Sequence, residues 1–164
     1  MGIYSKDYVA DPEALVLYAI TAACSFALLE NVQYVVSSSE VSSEEGVRIA
    51  TMRAVLTVPL HAGTGCVIGA MLARRRFVGQ KVAAERLGFC RIIAMPVLLH
   101  GTFDWVLFAR PFEGADGLNS AVVPLLLVAL TWIIGRWQYV RIDSHPDVGR
   151  IPRYAPSLSC FPLH

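Results

Sequence analysis

Charge is scarce in this sequence. Charged residues make up 16% of its 164 residues, against about 25% in an average soluble domain, and the mean hydropathy is +0.51. An ordinary soluble core inside a charged shell is thereby excluded. The near-neutral balance, formally +1, argues against a nucleic-acid partner. No CxxC spacing occurs among Cys24, Cys66, Cys90 and Cys160, so the cysteines read as small apolar residues with no inferable disulfide. There is no fixed-period repeat, and low complexity is confined to the polar stretch SSSEVSSEE, which reads as a loop spanning water between helices. A cleavable signal peptide is also missing. The first thirteen residues set Asp7, Asp11 and Glu13 against Lys6, and the apolar stretch that follows exceeds a signal core. The first segment is therefore expected to stay as a membrane helix.

What the chain does have is long apolar runs. Residues 14–36, 49–73, 89–109 and 119–140 each offer the roughly 20 apolar residues that a helix needs to cross a bilayer. They are apolar around most of their circumference rather than along one stripe. The fold class expected is all-α, a polytopic membrane bundle of about four transmembrane helices. Residues 1–141 form the membrane domain, and 142–164 form a polar tail in which Pro146, Pro152, Pro156 and Pro162 disfavour a stable helix. In that tail His145, Cys160 and His164 read as unremarkable.

Lysine and arginine set the orientation. Arg74, Arg75, Arg76, Lys81 and Arg86 follow the second segment, and Arg141, Arg150 and Arg153 follow the fourth. The other two loops hold only Arg48 and Arg110 among Glu40, Glu44, Glu45, Glu113 and Asp116. Both termini are expected to be cytoplasmic.

Ionisable groups inside membrane segments are costly and mark functional sites by default. From the middle of the segments outward five occur: Glu30, Arg53, His61, His100 and Asp104, while Arg91 and Arg136 lie near inner ends. At 1.5 Å per residue, Glu30, Arg53 and Asp104 lie roughly 9, 6 and 8 Å inside the outer ends of their segments, and His100 and His61 about 14 and 18 Å. One water-filled cleft reaches all five. Four-residue spacing puts His100 with Asp104, Phe26 with Glu30, and Arg53 with Thr57 and His61 on shared helix faces.

The bland reading is a packing histidine and a buried ion pair of Glu30 with Arg53. The sharper one is catalytic. Two imidazoles plus Glu30 or Asp104 match a zinc set with one open position. The same groups serve equally well as general bases without a metal. Pro59 and Pro96, just before the two histidines, can kink their helices, and Gly65 with Gly69 permits close helix approach. Trp132, Trp137 and Tyr139 fit an aromatic belt near the inner end of the fourth segment.

The motifs SFALLENVQY, MRAVLTVPLHAGTGCVIG and LLHGTFDWVL, in consecutive segments, resemble the PrsW family of intramembrane proteases, which is related to the CAAX prenyl-protease group. The resemblance covers about the first two thirds of the chain. It implies a polar intramembrane site of Glu30 with Asn31, Arg53 with His61, and His100 with Asp104. It further implies hydrolysis of a peptide bond in or near a membrane segment of another protein, by water activated by Glu and His, with or without a metal. The family pattern begins with a helix bearing adjacent glutamates and a basic residue, whereas the one adjacent pair here, Glu44 and Glu45, follows the ENVQY motif. That pair cannot be carried over. Either Met1 is an internal start in a longer gene or the first helix is lost. Glu30, His61 and His100 are then expected to do the chemistry alone, or with glutamates from a completing subunit. Two other readings stand beside the peptidase: a non-catalytic relative that holds membrane segments of partners, and a proton or ion pathway through an oligomer.

Overall fold

The computed structural model describes residues 11–39, 42–77, 88–108 and 117–143. Its elements are α1 (Pro12–Ser39), α2 (Ser43–Met52), a π-helical turn (Arg53–Thr57), α3 (Val58–Phe77), α4 (Phe89–Phe108) and α5 (Gly117–Asp143). No strand occurs among the described residues. Four spans are long and apolar enough to cross a membrane: Pro12–Ser37, Gly46–Phe77, Phe89–Val106 and Val122–Ile142. Lys81, Arg86, Arg110, Glu113, Asp116 and the tail from residue 144 onward, with His145, Cys160 and His164, lie outside the described residues.

The polar stretch after α1 differs from the expected loop. Ser37–Ser39 belong to α1, and α2 starts at Ser43. Ser42 accepts the amide hydrogen of Gly46 at 3.1 Å, the first bond of the new helix. Ser42 and Glu45 also have the spacing of a capping box. The second span thus begins within α2, whose first turn is polar.

Small residues make α3 the centre of the bundle. Gly63 and Gly65 point roughly 200° apart on a helix, and each faces a neighbour. A Cβ on Gly65 would stand 2.8 Å from the Ala19 carbonyl oxygen of α1, and one on Gly63 would stand 2.8 Å from Thr131 Cγ2 of α5. From the other side Gly135 of α5 comes within 3.1 Å of Cys66 Sγ by the same construction. α1 and α5 therefore approach α3 as closely as backbones allow, gaining dispersion contacts that replace the hydrophobic drive absent in lipid.

The remaining surface of α3 takes α4. Val67 and Met71 pack with Ile92, and Leu56 and Leu60 pack with Phe103. At one end of the bundle Leu15, Val16, Ala70, Ala73 and Ile142 form a cluster, and the Tyr139 hydroxyl donates to Glu13 at 3.0 Å. The start of α1 and the end of α5 thus lie together, with Arg74, Arg75 and Arg76 closing α3. Large apolar side chains such as Leu29, Trp105 and Ile133 are exposed outward, the arrangement expected where lipid is the solvent. Hydroxyls inside the spans bond back along their own helices, as Thr21 does to Leu17 and Thr131 to Leu127.

Trp132 departs from the aromatic belt. It lies ten residues before Ile142, about 15 Å inside the span, and its indole N–H donates to the Pro59 carbonyl at 3.1 Å. Trp137, stacked 3.6 Å under Arg141, and Tyr139 keep positions near the end of α5. Cys24, Cys66 and Cys90 are free thiols.

Candidate active site

The five ionisable residues come together in one chain of contacts. Glu30 Oε2 lies 3.0 Å from His61 Nε2, and His61 Nε2 lies 3.1 Å from His100 Nε2. His100 Nδ1 stands 3.0 Å from Asp104 Oδ2. Arg53 Nη2 donates to Glu30 Oε2 at 2.7 Å, and its Nε donates to Asn31 Oδ1 at 2.7 Å. Three helices and the π-helical turn each contribute.

The local backbone explains how α3 and the turn reach the same carboxylate twice. In a regular helix Arg53 and His61 would face roughly 80° apart, since eight residues overshoot two turns. Here the Val58 N–H donates to the Arg53 carbonyl, five residues back. The wider turn advances fewer degrees per residue, which swings Arg53 back over the face of His61. Pro59 supplies the cause. It has no N–H to offer, and its ring crowds the carbonyl of Val55, inside the widened turn.

Aromatic rings frame the cluster. The Tyr34 ring lies 4.0 Å from the Arg53 guanidinium, and the Phe26 ring lies 5.6 Å from that of His61. Tyr34 was not among the site residues read from sequence, although its four-residue spacing from Glu30 is the available signal. Glu44 is exposed on α2 and makes no hydrogen bond or ion pair among the described residues. Phe26 to Ser37 of α1 line a groove of about 430 Å³ that includes Glu30.

Exposure shows where the cluster opens. The His61 side chain is 4% exposed, Glu30 21%, His100 24% and Asp104 40%. α1 and α4 do not pack broadly against each other. The cluster therefore rests on α3 and faces outward between α1 and α4.

The donor set fits a metal. One ligand atom from each of Glu30, His61 and His100 lies within 4.8 Å of the other two. In a tetrahedral zinc site with bonds of about 2.0–2.1 Å, neighbouring ligand atoms are about 3.3 Å apart, close to the 3.0 and 3.1 Å contacts seen here. Two imidazole nitrogens face each other at such a distance only when one carries a proton or both share a cation. With its Nδ1–H given to Asp104, His100 turns a lone pair toward His61.

Arg53 gives the first prediction. Breaking a fully buried ion pair costs roughly 3–5 kcal/mol, and partial exposure of Glu30 lowers that figure. Arg53→Ala is expected to lower the melting temperature in detergent. Arg53→Lys restores charge but cannot reproduce the two directed bonds to Glu30 and Asn31, so its recovery should be partial. Full recovery by lysine would show that charge alone is needed.

Comparison with known proteins identifies the family. The model of the PrsW family of intramembrane metalloproteases matches residues 1–133. The chain belongs to the PrsW family. Protease PrsW of Geobacillus kaustophilus is 28% identical over 130 residues, 79% of this chain and 51% of that protein. Protease PrsW of Bacillus subtilis is 33% identical over 94 residues, 57% of this chain and 39% of that protein. The chain thus spans about half the length, or less, of these PrsW relatives. No solved structure matches. With its four apolar spans and this family, the chain is an integral, multi-pass membrane protein.

Proposed function

We propose that the chain carries the hydrolytic site of an intramembrane peptidase, cleaving a peptide bond in or near a membrane segment of a protein substrate. The observation that carries this reading is the convergence of Glu30, His61 and His100 within 4.8 Å inside membrane-spanning helices. His61 and His100 would hold a divalent cation, zinc by donor type, through their Nε2 atoms. Glu30 would be the third ligand, and its second oxygen is left to accept a proton from water. Asp104 then orients His100 rather than binding metal, and Arg53 with Asn31 fixes the Glu30 carboxylate. A bound cation of this kind supplies a Lewis acid for the scissile carbonyl and a more acidic water. In the metal-free version of the reading, Glu30 and His61 take the proton themselves.

The lysine and arginine distribution supports both termini on the cytoplasmic side, with the membrane domain running to the end of α5 at Asp143, two residues beyond the expected 141 because Ile142 is buried against α1 and α3, and the remaining residues as its tail. The cluster then opens in the outer half of the bilayer. A completing subunit or a second copy remains compatible with the opening between α1 and α4.

The test is metal content together with cleavage of a reconstituted single-span substrate. Purified protein is expected to retain about one zinc ion per chain, and o-phenanthroline should remove both the metal and cleavage, with zinc restoring them. Cleavage that persists in metal-free protein would replace the metal reading by the general-base one. Absence of both metal and cleavage would favour the non-catalytic relative.

A further inference from the structure

The groove on α1 contains polar groups that the hydrolytic cluster does not use. Phe26, Leu29, Glu30, Gln33, Tyr34 and Ser37 line it, over about 430 Å³. Gln33 and Ser37 lie in the α1 span, both exposed, and their side chains have no hydrogen-bond partner among the described residues. An amide facing hydrocarbon alone is unfavourable, and Gln33 lies one turn inside the end of the α1 span, of which Ser37 is the last residue. Both instead continue the stripe that begins at Glu30, toward the C-terminal end of α1.

A peptide bond cannot be attacked while it sits in a regular helix, because its carbonyl is engaged and surrounded. Unwinding a substrate helix frees backbone N–H and C=O groups, which lipid cannot satisfy. A groove beside the cluster must therefore offer hydrogen-bonding groups at the spacing of an extended backbone. On one edge of an extended chain the same groups recur every second residue, about 6.6 Å apart. Gln33 and Ser37 are four helical residues apart, about 6 Å along the axis.

We infer that Gln33 and Ser37 form a docking subsite for the unwound, extended backbone of a membrane-spanning substrate. The segment bound is the one leading from the scissile bond toward the C-terminal end of α1. Gln33 has both a donor and an acceptor to offer, and Ser37 has a hydroxyl that can act as either. The groove from Phe26 to Ser37 is about 16 Å long, enough for about five extended residues. Leu29 and Tyr34 supply apolar walls for the substrate side chains. This assignment rests on the peptidase reading of the cluster, but it makes a claim about binding that is measured separately.

The test uses the full chain in liposomes with benzoylphenylalanine at Leu29 and two probes. One is a single-span model protein with a Gly-Gly pair at the membrane edge, and the other has an uninterrupted leucine helix. Photo-cross-linking is expected to favour the Gly-Gly probe. It should fall about tenfold in the combined Gln33→Leu and Ser37→Ala variant, and stay unchanged in Val32→Ala on another face. Melting temperature and helicity in detergent should be the same in all of them, which separates lost docking from a lost fold. Equal labelling of the two probes, no labelling, or labelling indifferent to Gln33 and Ser37 would overturn the subsite. Labelling as expected, in a protein whose cleavage survives loss of His61, would leave the subsite standing and overturn the catalytic reading alone.

Discussion

Replacing His61 by alanine is expected to reduce cleavage of a reconstituted membrane substrate by about a thousandfold or more, while the protein still inserts and remains helical. His61 is the hinge of the cluster. Its Nε2 touches both Glu30 Oε2 and His100 Nε2, and it is the least exposed of the group. Removing it separates the carboxylate of α1 from the imidazole of α4, so the donor set falls from three to two non-adjacent groups. His100→Ala should act in the same way. Asp104→Asn should be milder, about 10- to 100-fold, because a carboxylate holding a ligand's far nitrogen tunes that ligand without replacing it. The measurement is initial cleavage rate with zinc content read on the same samples. If His61→Ala cleaves at the wild-type rate, the cluster is structural and the proposed chemistry is wrong.

Much of this site was legible because lipid removes ambiguity. A charged or imidazole side chain in a run of some 20 apolar residues has few places to go, and counting 1.5 Å per residue put Glu30, Arg53, His61, His100 and Asp104 at compatible depths. The four-residue rule correctly linked His100 with Asp104 and Phe26 with the Glu30 face. For Arg53 and His61 the same rule reached the right pairing for an incomplete reason. Two regular steps drift by roughly 80°, and it is the π-helical turn beside Pro59 that restores the alignment. A proline signals a disturbed helix but does not say whether the helix will kink or widen. Hydrogen bonding fixes that choice only once neighbours are in place. Trp132 shows the same limit. Aromatic residues near a span's end suit an interface, but a carbonyl offered by Pro59 captured this indole in mid-span. The polar start of α2 was missed because strong polarity was read as loop, although Ser42 and Glu45 carry a helix-start spacing.

Gly65→Val is expected to damage the site without changing any group that performs chemistry. A Cβ there would meet the Ala19 carbonyl oxygen at 2.8 Å, Ala23 Cβ at 2.8 Å and Ile20 Cα at 2.9 Å. Two of the three are backbone atoms of α1, which cannot rotate out of the way, so α1 itself must move. Overpacking of this kind costs about 1–3 kcal/mol, sometimes more, and the branched valine adds further atoms on the crowded side. Gly65 lies one turn beyond His61 on α3, and Glu30 lies on the displaced helix. Pushing α1 outward therefore lengthens the 3.0 Å contact between Glu30 and His61. The expected results are a lower melting temperature in detergent, loss of zinc and loss of cleavage together. Gly101→Ala is the matched control. Its Cβ would meet nothing within 4 Å, and alanine favours helix by about 1 kcal/mol over glycine, so stability should hold or rise. A Gly65→Val protein with wild-type melting and zinc content would mean that α1 is not held against α3 at this point. The account of how the fold brings Glu30 to the two histidines would then fail, whatever the cluster itself does.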